Sequence, residues 1–137
     1  MEIIKKEFSI PNSDGYEIGC LLLKQASTPD ERDVIVFGSA TAVKYTFYLK
    51  FAKYLANHGF IIILFDYLGI GRSLPTSIRK IKTTMAEWGS RDLQAVINWT
   101  LETYKKEKVY YVGHSVGGQV LGLLTNPNVF EKIIFFL

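Results

Sequence analysis

The sequence has a single cysteine, no internal repeat and almost no excess of charge, and no apolar run approaches the ~20 residues that span a bilayer. Cys20 has no partner for an internal disulfide, so disulfide frameworks are excluded and a reducing compartment is indicated. It lies inside the apolar stretch IGCLLL and reads as a buried strand thiol rather than a reactive one. Sixteen Lys and Arg face thirteen Asp and Glu, giving a net charge of +3 with the lysines scattered. The densest cluster, Lys105, Lys106 and Lys108, falls at the end of a predicted helix, where cations suit the dipole. No nucleic-acid partner is therefore expected. The N-terminal MEIIKKEFSI lacks the charged-then-apolar layout of a secretion signal, so the expectation is a soluble, cytoplasmic protein with no membrane partner.

What is present suits one globular domain. Hydrophobic residues make up 48% of the 137, enough for a sizeable core, and charged residues 21%, which excludes a disordered chain. Two strand-like segments, EIIKKEFSI and YEIGCLLLK, flank the turn formers PNSDG and predict an antiparallel hairpin over residues 1–25. From residue 34 to 137 the pattern becomes β-α units. VIVFGS, FIIILFD, KVYYVGHS and KIIFFL are short, continuously apolar and β-branched or aromatic, as in strands covered on both faces. Helical patterns separate them. One spans 45–58, with Tyr48, Phe51, Ala52 and Leu55 on a stripe and Gly59 as its stop. Another runs from about Ser90 to Lys106, with Leu93, Val96, Ile97 and Leu101 on a face. A third spans 117–125. The fold class is α/β: a mostly parallel sheet with helices on both faces, entered through the hairpin.

One stretch carries chemistry. Gly113-His114-Ser115-Val116-Gly117 fits G-x-S-x-G and falls where a strand ends and a helix begins. A sharp strand-to-helix turn lifts the serine hydroxyl above the sheet and needs small residues two before and two after it, which Gly113 and Gly117 supply. The N–H of Val116 can then face an oxyanion. The competing structural role is a tight turn whose serine caps the helix, which accounts for the serine but not for both glycines. The GIGRS glycines lack the third glycine of a dinucleotide fingerprint, and the loop does not open a helix directly. No phosphate-cradling loop follows the first parallel strand, so a flavodoxin-like domain is disfavoured, and no cofactor or metal is expected.

GSATAV, FDYLGIGRS and VGHSVGGQ, in this order after three successive buried strands, resemble the α/β-hydrolases, specifically their serine aminopeptidase- and esterase-like branch. The resemblance covers essentially the whole chain, as the N-terminal portion of that fold truncated after about the sixth strand. It implies hydrolysis of a small-molecule carboxylic ester or amide through an acyl-enzyme on Ser115. It also implies a second oxyanion donor in the GSATAV loop: Ala40, with Thr41 the neighbouring candidate. Asp66 is implied to tie its loop structurally, and Leu68 stands where the family usually has an arginine, which removes a salt-bridge partner. The family order is serine, then an acid, then a histidine. After Ser115 the chain has one acid, Glu131, and no histidine. Glu131 precedes the last strand, on the side away from the strand's carboxyl end.

His58 suits a helix C-terminus, and His114 points away from Ser115 and lines or packs the pocket. Trp88 and Trp99 read as packing aromatics. KIIFFL as a last strand would leave an apolar edge exposed. The expectation is therefore a chain whose triad acid and histidine lie elsewhere, in residues beyond 137 or in a complementary chain or second copy covering that strand. The alternative is a catalytically inactive fragment or binding module that keeps the hydrolase scaffold.

Overall fold

The computed structural model describes residues 2–74 and 82–136. The loop expected over YLGIGRSLPTS therefore lies within the described residues only as far as Leu74. Six strands, β1 (Ile3–Pro11), β2 (Glu17–Gln25), β3 (Val34–Gly38), β4 (Ile61–Phe65), β5 (Val109–His114) and β6 (Phe130–Phe136), form one sheet in the order β1-β2-β4-β3-β5-β6. β1, β2 and β4 pair antiparallel; β4, β3, β5 and β6 run parallel. The hairpin turn is held by Asn12, whose Oδ1 accepts from the amides of Asp14 (2.9 Å) and Tyr16 (3.1 Å), while Gly15 takes φ +83°.

Period-2 alternation sorts the strand side chains into two cores. Ile62 and Leu64 join Phe37 and Val112 under α1 (Leu49–Ala56). Ile61, Ile63 and Phe65 join Tyr111 on the other face, under Trp88, Leu93, Val96, Ile97, Val116 and Val120. The five residues of β4 are fully buried, and each Ile or Leu contributes about 1.5–3 kcal/mol by leaving water.

The helices depart from their expected extents for local reasons. The first begins as a 3-10 turn over Tyr45–Tyr48, with Phe51 exposed and Leu55 half-buried, and it stops at Gly59, which takes φ +91°. The second begins earlier than Ser90. α2 (Met85–Glu87) opens on Thr84, whose hydroxyl accepts from the Glu87 amide at 3.2 Å. A π-helical segment, Trp88–Leu93, leads into α3 (Gln94–Tyr104). The third is only α4 (Val116–Gln119), continued by a 3-10 turn over Val120–Leu123. Gly117, Gly118 and Gly122 crowd a run that would otherwise be helical.

Among the described residues β6 is the sheet edge and pairs only with β5. Phe130 is half-buried against the core, but Ile133, Ile134, Phe135 and Phe136 are exposed, Ile134 to 57%.

Candidate active site

At the carboxyl end of β5 the chain turns through Ser115 at φ 54°, ψ −113°, a conformation L-residues rarely adopt, and enters α4 at Val116. Crowding on every side holds the turn. A Cβ on Gly113 would lie 2.8 Å from the amide nitrogen of Gly118, and one on Gly117 would overlap the carbonyl of Gly38 at the end of β3. Tyr111, fully buried beneath, donates its hydroxyl to the Gly117 carbonyl at 2.5 Å. The amides of Gly118 and Gln119 reach the Ser115 carbonyl at 3.0 and 3.3 Å, but the Ser115 side chain makes no capping hydrogen bond. The serine is thus not placed there as a helix cap.

The loop after β3 lies directly against this turn. Ala40 and Val43 close a turn through Val43 N–H to Ala40 C=O (3.2 Å), with Ala42 at φ 60°. The N–H of Ala40 is already engaged, donating to the Tyr48 hydroxyl at 2.9 Å. The same hydroxyl lies 2.8 Å from Nδ1 of His114. Thr41 is exposed, its Oγ1 4.0 Å from the sulfur of Met85. His114 is stacked against Phe136 (4.8 Å between ring centres, 21°) and faces Phe47 on a second side (6.5 Å, 11°). Phe47 is 71% exposed, so the rim of this corner is apolar and open.

Asp66 ties its loop together, the role that the resemblance implies for it. Its carboxylate accepts from the amides of Tyr45 (2.7 Å) and Arg72 (3.0 Å), and its carbonyl accepts from Ser73 Oγ (2.6 Å), which in turn accepts from Gly19 N–H (2.8 Å). Burial pushes its pKa up, opposed by those amides and by Arg72 and Lys44. Leu68, standing for an arginine, is buried. Its backbone is held instead by Asp92 Oδ2 (2.8 Å to the amide) and by Trp88 Nε1 (3.1 Å to the carbonyl).

Asp92 escaped the sequence reading, since a carboxylate in a helical pattern reads as a solvated face. It is buried, also accepts from Asn12 Nδ2 at 3.0 Å, and burial pushes it up to about 6.

The remaining candidates lie apart from the serine turn. His58, exposed, has Nδ1 2.8 Å from the Tyr54 carbonyl. Glu131 is exposed at the start of β6, whereas the register sets Phe136, at its other end, beside His114. Trp88 stacks on Tyr67 at 4.8 Å, and Trp99 packs on Phe8 at 4.7 Å. Cys20 is buried, and burial raises its thiol pKa. Among the described residues no three His, Cys, Asp or Glu side chains are grouped to hold a metal, and no helix is long and apolar enough to cross a membrane.

Comparison with known proteins gives the same architecture. A family model described as alpha/beta hydrolase fold matches residues 34–126. Gastric triacylglycerol lipase of Rattus norvegicus is 26% identical over 149 residues, spanning 96% of this chain and 38% of the lipase. Among solved structures, a thermostable carboxyl esterase from Bacillus coagulans in complex with glycerol superposes with TM-score 0.77 at 16% identity, over 96% of this chain and 43% of that one. The thioesterase domain from the curacin biosynthetic pathway gives 0.73 at 17%, over 96% and 46%. Epoxide hydrolase A from Mycobacterium thermoresistibile gives 0.70 at 17%, over 96% and 39%. The chain thus spans less than half the length of each.

Proposed function

The chain belongs to the alpha/beta hydrolase fold family, and we propose that it carries the nucleophile half of a serine hydrolase acting on small carboxylic esters or amides. Fold alone does not select this reaction, since epoxide hydrolases share it. The observation that carries the reading is Ser115, held at φ 54° between glycines packed without spare volume, its hydroxyl spent on no cap. In the proposed reaction Ser115 Oγ adds to the substrate carbonyl carbon while its proton passes to an imidazole base. The N–H of Val116 and an amide of the GSATAV loop receive the oxyanion. The bond to the leaving alcohol or amine breaks as that group takes the proton. Water then adds to the acyl-enzyme, releasing the carboxylic acid and restoring the serine.

The resemblance implies Ala40 first as the loop donor. With its single hydrogen committed to Tyr48, Thr41 becomes the better one. Neither histidine of this chain suits the base. His58 is bound at the end of α1, and the His114 ring is taken up by Tyr48. We therefore place the base and its orienting acid outside these residues, brought in where the free edge of β6 can be covered by further strands, a complementary chain or a second copy. The lone buried thiol supports a cytoplasmic setting.

A fluorophosphonate probe, which reacts only with an activated serine, tests the reading. The 137-residue chain alone should label weakly, and a protein that also contains the acid and histidine should label strongly. Strong labelling of the chain alone sinks the placement of the base, and labelling that survives Ser115→Ala sinks the nucleophile.

A further inference from the structure

The serine turn and the loop beside it are joined by a side chain that the proposed reaction does not use. Tyr48 is 5% exposed, its ring held in the core against Phe37 (6.1 Å, 57°). Its hydroxyl accepts from the Ala40 amide at 2.9 Å and lies 2.8 Å from His114 Nδ1. No other acceptor lies within bonding range of that hydroxyl among the described residues. A buried O–H without an acceptor costs about 1–3 kcal/mol, so the hydrogen belongs on the path to Nδ1, which leaves the His114 ring proton on Nε2. The result is a three-member chain, Ala40 N–H to Tyr48 O–H to His114 Nδ1, that bolts the loop after β3 to the residue preceding Ser115.

Two consequences follow from counting hydrogens. An amide has one hydrogen, and Ala40 cannot give it to Tyr48 and to an oxyanion together. Side chains of adjacent residues on the turn point apart, so a bolt on the His114 side leaves the Ser115 side free. The next amide along, Thr41, lies in the exposed turn closed by Val43 N–H and Ala40 C=O, with Ala42 held at φ 60°. We propose that Tyr48 is a positioning residue: by fixing Ala40 to His114 it sets the Thr41 amide as the loop's oxyanion donor. This rests on the reading of Ser115 as the nucleophile.

The test must read oxyanion stabilisation without the missing base, and a thiol supplies it, because a thiolate attacks without general-base help. In Ser115→Cys, acylation by p-nitrophenyl acetate forms an S–C bond, passes through an oxyanion and expels p-nitrophenolate. Alkylation by iodoacetamide forms an S–C bond, expels iodide and develops no oxyanion. Cys20, fully buried, does not compete with either. Adding Tyr48→Phe should slow acylation about 10-fold, the scale of a misaligned donor, and leave alkylation unchanged. His114→Phe, which keeps an aromatic ring and removes Nδ1, should act the same way. In wild type the Ala40 amide should resist hydrogen exchange, and Tyr48→Phe should release it while β3 and β4 amides stay protected. Acylation that is fast but indifferent to Tyr48→Phe, loss of both rates together, or an Ala40 amide that stays protected overturns the Tyr48 assignment. Acylation in Ser115→Cys no faster than that of free cysteine overturns the nucleophile reading and the Tyr48 assignment with it.

Discussion

Gly117 sits so close to Gly38 that the backbone carbonyl of one fills the volume where a side chain on the other would begin. This contact joins the turn after β5 to the end of β3, the two segments that the proposed reaction needs side by side. Gly117→Ala cannot be absorbed by a rotamer change, because the obstacle is backbone. The expected loss is about 1–3 kcal/mol or more, the scale of overpacking, read as a lower urea midpoint.

Ser115 stores strain that a glycine would release. Ser115→Gly should raise stability by about 1 kcal/mol: about 1–3 kcal/mol of relieved dihedral strain, offset by glycine's greater entropy when unfolded. Ser115→Ala keeps the strain and should not gain. Urea midpoints of wild type and both variants check this, and equal midpoints would show that the turn is unstrained.

Tyr111 supports the turn from below through its bond to the Gly117 carbonyl. Tyr111→Phe leaves that carbonyl buried without its partner and should cost about 1–3 kcal/mol, with the same fold by circular dichroism.

Asp92 makes stability fall with rising pH over an acid window. Its folded pKa, pushed by burial to about 6, exceeds the ordinary 3.8, so between those values the folded state binds more protons than the unfolded one. Its contribution is therefore most favourable below the ordinary value, declines toward about pH 6 and is flat above; Asp66, also raised by burial, adds in the same direction. Wild type should lose up to about 2 kcal/mol relative to Asp92→Asn between pH 4 and pH 7. A stability difference between the two that does not change with pH would refute this.

Ile134, on the unpaired edge, should accept lysine with no more than about 0.5 kcal/mol change in stability and lower self-association in sedimentation. Phe135 differs because its ring lies over Gly118, and Phe135→Lys should destabilise.

All six strands were legible in the sequence, because short β-branched runs bounded by turn formers have few other uses. The turn at Ser115 was legible because its crowding imposes glycine at two fixed offsets. The Tyr48 bolt was not. Tyr48 stood on the apolar stripe of a helix, and only the 3-10 start of that helix and the turn at Ala42 bring its hydroxyl to an amide eight residues back. Asp92 was hidden for a related reason: its partners are an asparagine 80 positions away and a backbone amide. The second helix began earlier than its apolar period implied because the period itself breaks at the π-helical segment.

That segment sets the phase of everything on either side of it. A π turn carries one residue more than an α turn, so the helix downstream is rotated by about 100° relative to the helix upstream. The offset lets Trp88 reach the Leu68 carbonyl and Asp92 the Leu68 amide while Val96 and Ile97 still face the sheet. Removing one residue between Trp88 and Leu93 would leave both halves helical and every apolar residue still available. It would put the two faces out of step, so the helix could keep its grip on the sheet or on the loop after β4, but not on both.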